Sequence, residues 1–535
     1  MKGNQTGKFV SLIVVTATLA VLIGGCGTDE KPASTIKTSE APKGPVEIEW
    51  LAYDSYGQPD ENSVVVKAVE EKFNAKFKFW YLDAQKWSDQ LNVKLAAGEM
   101  PDFLKVTSDL PKLVNDGVLA PFSEEQVRKL APTYSKLLDK YPEAWNVGRY
   151  DGKLYTLPTI NVNADYATSL IWRKDWLDNV GIMKVPETLQ EVEDALIKFR
   201  NNDPDKNGKK DTYGMSDFAL TAILGAYGNP AFNSWMDLTK ANNQVLYMIK
   251  DNKVSITSIQ PEMKEALATL AKWYRMELID PEFLTGENTG GYWADSQSFY
   301  NGKIGLTGKG MYYQWRNEIN PNLPDDAGGA QYQNFKKSQP KGEIIFGKAP
   351  VGPSGKSGTE QWSAFLNPKG MTVKAAKDTV KVETFLKMVE AATSDYNYFM
   401  LVGSGVQGTD WKLNDKGDFV NLNTSLKTAE LNQKGIGVLN GVSNPDFQKN
   451  INPFQYSFAE KVKVNGYAPP VVPSVDSFQK NLTNLAKLTT DYYVRMITGE
   501  YPIDKFDEFV TKFKASGGDQ IEKDVNEAYK KMLGK

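Results

Sequence analysis

The chain has 535 residues, is 41% apolar and 24% charged, and carries a net charge of −3. That length is more than one core organises, so two or more lobes are expected, and the interspersed charge leaves no electrostatic footprint for nucleic acid. There is no histidine, and Cys26 is the only cysteine; this excludes a Ser-His-Asp triad, a Cys-His dyad, a cysteine-based zinc site and an intramolecular disulfide.

Residues 1–25 read as an export signal. Lys2 and Lys8 precede a short apolar run from Phe9 to Ile23, which has the length of a signal core and is short for a membrane span. The run ends Leu22-Ile23-Gly24-Gly25-Cys26, which resembles a bacterial lipobox. The resemblance implies that Cys26 is lipidated and becomes the mature N-terminus; the alternatives are an uncleaved anchor or a buried cysteine. Residues 26–45 are rich in Pro, Ser, Thr, Lys and Glu. They cannot bury enough apolar surface to fold and are expected to act as a tether. No later run approaches 18 apolar residues, so the body is not expected to span the membrane.

The first lobe opens on the alternating strand Val46 to Leu51. A helical pattern from Ser63 to Phe73, a strand from Lys76 to Leu82, a helix from Trp87 to Ala97 and a short strand from Phe103 to Val106 follow. Alternating strand and helix predicts a mostly parallel sheet, with ligands at the carboxyl ends of its strands. That rule points to Asp54, Asp83, Thr107 and Asp109 as cleft residues; caps and solvated turns are their bland reading.

Tyr150 to Asp175 reads as a hinge. Asp151-Gly152 is a turn, Leu154 to Leu157 a strand that Pro158 stops, Asn161 to Asp165 a polar joint holding Asn163, and Ser169 to Trp172 a second strand entering a helix. Thr188 and Glu191 form a capping box for Leu189 to Phe199. Asp203, Asp205, Asn207, Gly208, Lys209 and Asp211 then follow the first part of a calcium loop, with oxygen ligands on alternate residues and Lys209 offering only its carbonyl. The bidentate glutamate is missing, since Gly214 stands at the last loop position, and an ion-free Asx turn is the alternative. Glu262 to Met276 is an amphipathic helix. Aromatic residues gather in Gly308 to Arg316, which holds Tyr312, Tyr313, Trp315 and Arg316; Tyr312 and Trp315, with Trp235, Trp293 and Trp362 elsewhere in the chain, are the candidate stacking rings. Rings suit the apolar faces of a pyranose, while guanidinium and amide groups suit its hydroxyls; core packing is the bland reading of any one of them. Glu343 to Pro350 is a strand returning to the first lobe. Ala375 to Met400 reads as one long helix, Val471 to Pro473 as a third crossing, and Phe478 to Thr498 and Ile503 to Met532 as closing helices broken at Gly517-Gly518.

Two motifs fail on context. Gly403-Ser-Gly405-Val-Gln-Gly408 follows a helix rather than a strand, which excludes a dinucleotide site. Gly352-Pro-Ser-Gly355-Lys356-Ser357 has two residues where a phosphate loop needs four. Carboxylates are abundant, but no pair is singled out as a glycosidase dyad.

Ala97-Gly-Glu-Met-Pro-Asp102, Tyr150 to Pro158, Trp172 to Leu177, Pro186 to Leu189, the calcium-loop run, and Ile497-Thr498-Gly499 together resemble the family 1 extracellular solute-binding proteins of ABC importers, large oligosaccharide-binding branch. The resemblance implies an α/β, two-lobed periplasmic-binding-protein-like fold of type II with three hinge crossovers. It implies lobe 1 over 46–162 plus 363–465 and lobe 2 over 163–362 plus 466–535. It further implies a monomer, lipid-anchored on the extracellular face of the membrane, that captures an oligosaccharide, hands it to an ABC permease and does no covalent chemistry. Structural Ca2+ at Asp203, Asp205, Asn207, Lys209 and Asp211 belongs to the same resemblance. A secreted two-carboxylate polysaccharide-active enzyme and a binder of peptides or other solutes are the competing readings.

Overall fold

The computed structural model describes residues 44–51, 57–82, 87–106, 110–141, 143–231, 247–283, 296–439 and 441–533. Cys26 and the tether as far as residue 43 lie outside them. No helix among the described residues is long and apolar enough to cross a membrane.

The fold is α/β and two-lobed. In the first lobe, the alternating pattern of Val46–Leu51 buries Ile48 and Trp50 on one face. The strand pairs in parallel with Ala75–Trp80, from Val46 opposite Ala75 to Leu51 opposite Trp80. Its other neighbour is Phe103–Lys105. Phe365–Thr372 then runs antiparallel to Phe103–Lys105, with Leu119–Ala120 and Thr156–Ile160 along its far edge. Helix Thr379–Ser394 packs on this sheet, and Phe385 stacks on Phe103 with ring centroids 4.2 Å apart. Each fully buried ring of this kind contributes roughly 1.5–3 kcal/mol.

The second lobe is built on a four-stranded sheet in the order Ile344–Gly347, Leu170–Arg173, Ile304–Thr307, Tyr213–Met215. Trp172, Trp176 and Phe199 are fully buried beneath it. Helix Leu189–Asn201 carries the expected capping box: the Glu191 N–H donates to Thr188 Oγ1 at 3.2 Å, and the Thr188 N–H donates to Glu191 Oε2 at 2.9 Å. Helices Pro261–Arg275 and Asp476–Thr498 close the core.

Two local expectations are corrected and a third, the break at Gly517-Gly518, is met. Pro158 does not stop its strand, which continues to Ile160. The register shifts between Leu366 and Lys369, so Pro158 faces a bulge formed by Asn367 and Pro368, where no ladder hydrogen bond is needed from it. Ala375 to Met400 is two helices, Thr379–Ser394 and Tyr396–Ser404. Asp395 separates them because its carboxylate accepts from the N–H groups of Asn397 and Tyr398, capping the second helix. Between Lys505–Phe513 and Asp519–Met532 the chain makes one wide π turn, with Gly517 at φ 117°, a value that only glycine adopts freely.

Candidate functional site

The lobes are joined where three segments lie side by side. Ala167 bridges Gln361, and Thr359–Glu360 pairs in parallel with Gly466–Tyr467. The Thr168 N–H donates to Glu360 O at 2.7 Å, and Thr359 Oγ1 donates to Thr168 O at 2.8 Å. The three segments therefore support one another.

A cavity of about 450 Å³ opens beside this hinge, within the range of small-ligand sites. One wall is the end of strand Thr156–Ile160 and the following turn, with Thr159, Asn161 and Asn163. The opposite wall comes from Gly437, residues 441–443 and helix Pro445–Ile451, with Ser443, Gln448 and Ile451. Lys369, Phe399 and Tyr456 complete the lining. Beside this wall, Trp50, in the middle of the first-lobe sheet, donates its indole N–H to Val438 O at 3.1 Å. Gln448 Oε1 is buried and has no hydrogen-bond donor among the described residues. A buried acceptor left this way costs about 1–3 kcal/mol until a donor arrives.

Behind the cavity, Tyr166, Tyr312 and Tyr456 form a cluster, with the Tyr166 and Tyr312 rings 5.0 Å apart. The Tyr312 hydroxyl donates to Asn163 Oδ1 at 3.0 Å, and Tyr166 donates to Glu460 Oε1 at 2.8 Å. Burial pushes all three phenols up, Tyr456 to about 12. They remain neutral donors at ordinary pH.

The expected contact residues are distributed unevenly. Asn163 lines the cavity. Trp362 is half-buried against the Tyr166–Tyr312 cluster on the second crossing. Tyr312 and Trp315 are 1% and 0% exposed, so their ring faces are covered by protein rather than open for stacking. Trp315 packs edge-on to Phe299, and its indole N–H donates to Lys309 O. Arg316 grips Asp326 with both terminal nitrogens and lies over the Phe454 ring, 5.3 Å from its centroid. Tyr312 backs the cavity through Asn163 and Tyr456, whereas the contacts of Trp315 and Arg316 are with residues outside its lining. Asp54, Asp83, Thr107, Asp109, Trp235 and Trp293 lie outside the described residues. Gln448, Ser443, Lys369 and Tyr456 were missed by the sequence reading: they stand more than 200 residues from the hinge segment that they face, and nothing local marks them.

The Asp203–Asp211 loop folds on itself. Asp203 and Lys206 take positive φ at 45° and 56°, as does Gly208 at 76°. Asp203 accepts from the N–H groups of Asn207 and Gly208, at 3.0 and 2.9 Å. The Asn207 carboxamide donates to Asp205 at 2.8 Å and to Asp211 at 3.2 and 3.3 Å. Burial, then a hydrogen bond that protonated Asp205 donates to Asp203 and the charges of Asp211 and Asp203, raise the Asp205 carboxyl above its usual range. Carboxylates gathered around one amide are a donor set suited to a hard cation. As placed, no group of three or more acidic, His or Cys side chains among the described residues is arranged to hold a metal ion. Thr212 is 1% exposed and donates to Phe199 O at 2.7 Å, so it points away from the loop. Gly214 lies in strand Tyr213–Met215, where a Cβ would sit 2.7 Å from the Leu196 side chain. The loop's last position therefore cannot carry the bidentate glutamate.

Comparison with known proteins agrees with this architecture. The family model for bacterial extracellular solute-binding protein matches residues 65–404. Lipoprotein LipO of Bacillus subtilis is 25% identical over 555 residues, covering 99% of this chain and 99% of LipO. The polygalacturonan/rhamnogalacturonan-binding protein YtcQ of the same organism is 24% identical over 545 residues, covering 97% of this chain and 98% of YtcQ. Among solved structures, the HMO-binding, ABC-transporter-associated solute-binding protein of Bifidobacterium longum infantis superposes with a TM-score of 0.68 at 17% identity, covering 91% of this chain and 99% of that one. That likeness establishes the fold. The chain belongs to the bacterial extracellular solute-binding protein family.

Proposed function

We propose that this protein is the receptor of an ABC importer: it captures an oligosaccharide between its lobes and delivers it to a membrane permease, without breaking a bond. The observation that carries the proposal is a cavity of about 450 Å³ beside the three-segment hinge, lined by amides, hydroxyls and apolar side chains; apart from Asn163 its lining falls within the first lobe, which would hold the sugar while the second lobe closes on it. Such a lining satisfies sugar hydroxyls and sugar faces together. The names of YtcQ and of the Bifidobacterium protein, one a pectic-polymer binder and the other an HMO binder associated with an ABC transporter, support the same reading.

The mechanism is differential affinity. A ligand that touches both lobes only when they are close shifts the population toward the closed form. The lobes are 46–162 plus 363–465 and 163–362 plus 466–535. Asn163 and Trp362 at the hinge contact the sugar together with Ser443, Gln448 and Tyr456. Asp54, Asp83, Thr107, Asp109, Trp235 and Trp293 extend the contact along the cleft. Structural Ca2+ would be held by Asp203, Asp205, Asn207, Asp211 and the Lys209 carbonyl, and would neutralise the carboxylates of that loop. The molecule works as a monomer, anchored through lipidated Cys26 on the extracellular face of the membrane. Thermal-shift measurements against oligosaccharides, with reducing ends counted afterwards, test this reading. A rise in melting temperature with the sugar left intact supports it; turnover of the sugar refutes it.

A further inference from the structure

We infer that Gln448 sets the specificity of the hinge cavity: it accepts a hydrogen bond from one free hydroxyl of the bound sugar, so that the same sugar deoxygenated, methylated or acylated at that position is rejected. This rests on the oligosaccharide reading above and narrows it to glycans left unsubstituted at one position. Most of the polar side chains in the cavity wall are already engaged. Thr159 Oγ1 accepts from the Ser443 N–H at 2.9 Å and lies 3.1 Å from Ser443 Oγ. The Asn161 carboxamide donates to Ser363 O at 3.1 Å and accepts from the Asn163 N–H at 3.1 Å. Asn163 Oδ1 in turn accepts from the Tyr312 hydroxyl, and Lys369 has a partner of its own. Gln448 lines the same cavity, and its Oε1 has no hydrogen-bond partner among the described residues. That oxygen is buried, so bulk water does not stand in for the missing donor.

The backbone of Gln448 is fixed while the end of its side chain is not. It stands in helix Pro445–Ile451, whose start is pinned from two sides. Asn444 Oδ1 accepts from the Asp446 N–H at 2.9 Å, and Asn444 Nδ2 donates to Thr393 O at 2.8 Å. The Gln448 N–H donates to Asn444 O at 3.1 Å. No hydrogen bond holds Oε1, and the last torsion of a glutamine side chain is soft. A sugar seated between this helix and residues 159–163 therefore turns the amide toward itself and supplies the donor. An ether or ester oxygen has no proton to give, and a C–H leaves the acceptor orphaned, so such analogues keep the desolvation cost that the free hydroxyl removes. Stability given up in the empty protein is recovered on binding.

The experiment is calorimetric titration of the whole protein with a panel of di- to hexasaccharides of xylose, galactose, galacturonate, fructose and N-acetylglucosamine. It continues with the tightest binder and its monodeoxy forms, one hydroxyl removed in each. One monodeoxy form should bind about ten- to hundredfold more weakly than its parent. Gln448→Met should weaken the parent by a similar factor and should weaken that monodeoxy form no further, the coupling that a direct contact gives. In the ligand-free protein the same variant should melt about 1–3 °C higher, because its side chain leaves no strong acceptor unpaired. Opposite signs for stability and affinity separate this role from a structural one, in which both would fall. The monodeoxy series on the wild type decides the matter even if Gln448→Met does not fold. A series in which no position matters overturns the inference while leaving the receptor reading intact. So does a sensitive position that stays equally sensitive in a folded Gln448→Met protein, or a ligand-free variant that melts lower than the wild type. Failure of every sugar in the panel to bind overturns the oligosaccharide reading itself.

Discussion

The Lys416 ammonium donates to Asn322 Oδ1 across 2.6 Å, and the neighbouring Asn414 amide donates to Asn322 O at 3.2 Å. Lys416 sits on the hairpin formed by Trp411–Leu413 and Phe419–Asn421, which rests on Phe399 and Met400 of the first lobe. Asn322 belongs to the second-lobe loop that Arg316 and Asp326 hold in shape. On the proposed lobe boundaries this contact spans the two lobes, and it is predicted to act as a latch on their separation. Exposed hydrogen bonds of this sort contribute about 0.5–1.5 kcal/mol. Lys416→Ala should therefore widen the ligand-free molecule and weaken ligand binding by about two- to tenfold, read by small-angle scattering and titration. Unchanged scattering and affinity would remove the latch from the account.

The aspartate loop gives a second prediction. Without its glutamate it should bind calcium weakly, with a dissociation constant on the order of 10⁻⁴–10⁻³ M. Saturating calcium at about tenfold that constant stabilises by about 1.4 kcal/mol, a rise of about 1–3 °C in a protein of this size. Chelator should reverse the rise, and Asp205→Asn should abolish it. No shift in about 10 mM calcium, well above the weak range, would show that the loop is an ion-free turn.

A third concerns the edge of strand Lys253–Ile256, where helix Asp519–Met532 stands in for a neighbouring strand. The Val254 N–H donates to Asn526 Oδ1 at 2.9 Å, Asn526 Nδ2 donates to Val254 O at 2.8 Å, and the Ile256 N–H donates to Glu522 Oε1 at 3.1 Å. Val254 is 0% exposed, so its backbone groups have no water to turn to. Asn526→Leu should cost about 1–3 kcal/mol in chemical denaturation. Asn526→Asp keeps the acceptor and loses the donors, and should cost less.

Acid sensitivity is expected at Asp326. Burial raises this carboxyl, but the hydrogen bonds and charge of Arg316 and the N–H groups of Asn320 and Gly328 outweigh it, and the net shift is downward. A carboxyl depressed in the folded state contributes stability above its unfolded value, about 3.9 for Asp; that contribution is lost as pH falls from there through the lower folded value. Asp326→Asn should destabilise near neutrality by about 3 kcal/mol, since it leaves Arg316 buried without its partner. It should also flatten the fall in denaturation midpoint below about pH 4. A variant whose acid limb parallels the wild type would exclude Asp326 as its source.

Much of the architecture was legible because local rules and tertiary demands agree. The alternation in Val46–Leu51 survives because only one face of that strand is buried, and Thr188 with Glu191 caps its helix whatever packs on it. Where they disagree, the partner decides. Pro158 reads as a terminator until Asn367 and Pro368, over 200 residues later, supply the bulge that tolerates it. Asp395 lies within an apolar periodicity, and its capping bonds prevail over that pattern. The site was least legible for the same reason: Trp315 and Tyr312 have the composition of sugar platforms, but only the fold reveals their covered faces, and Gln448 and Lys369 gain their meaning from the hinge they face.

Small-angle scattering of the protein with and without a bound oligosaccharide, with the sugar recovered and sized afterwards, tests the central claim most directly. A smaller radius of gyration on binding, reversed on removal, with the sugar returned at full length, is the expected result. A radius that does not change at saturation, or a sugar recovered in shorter pieces, would contradict it.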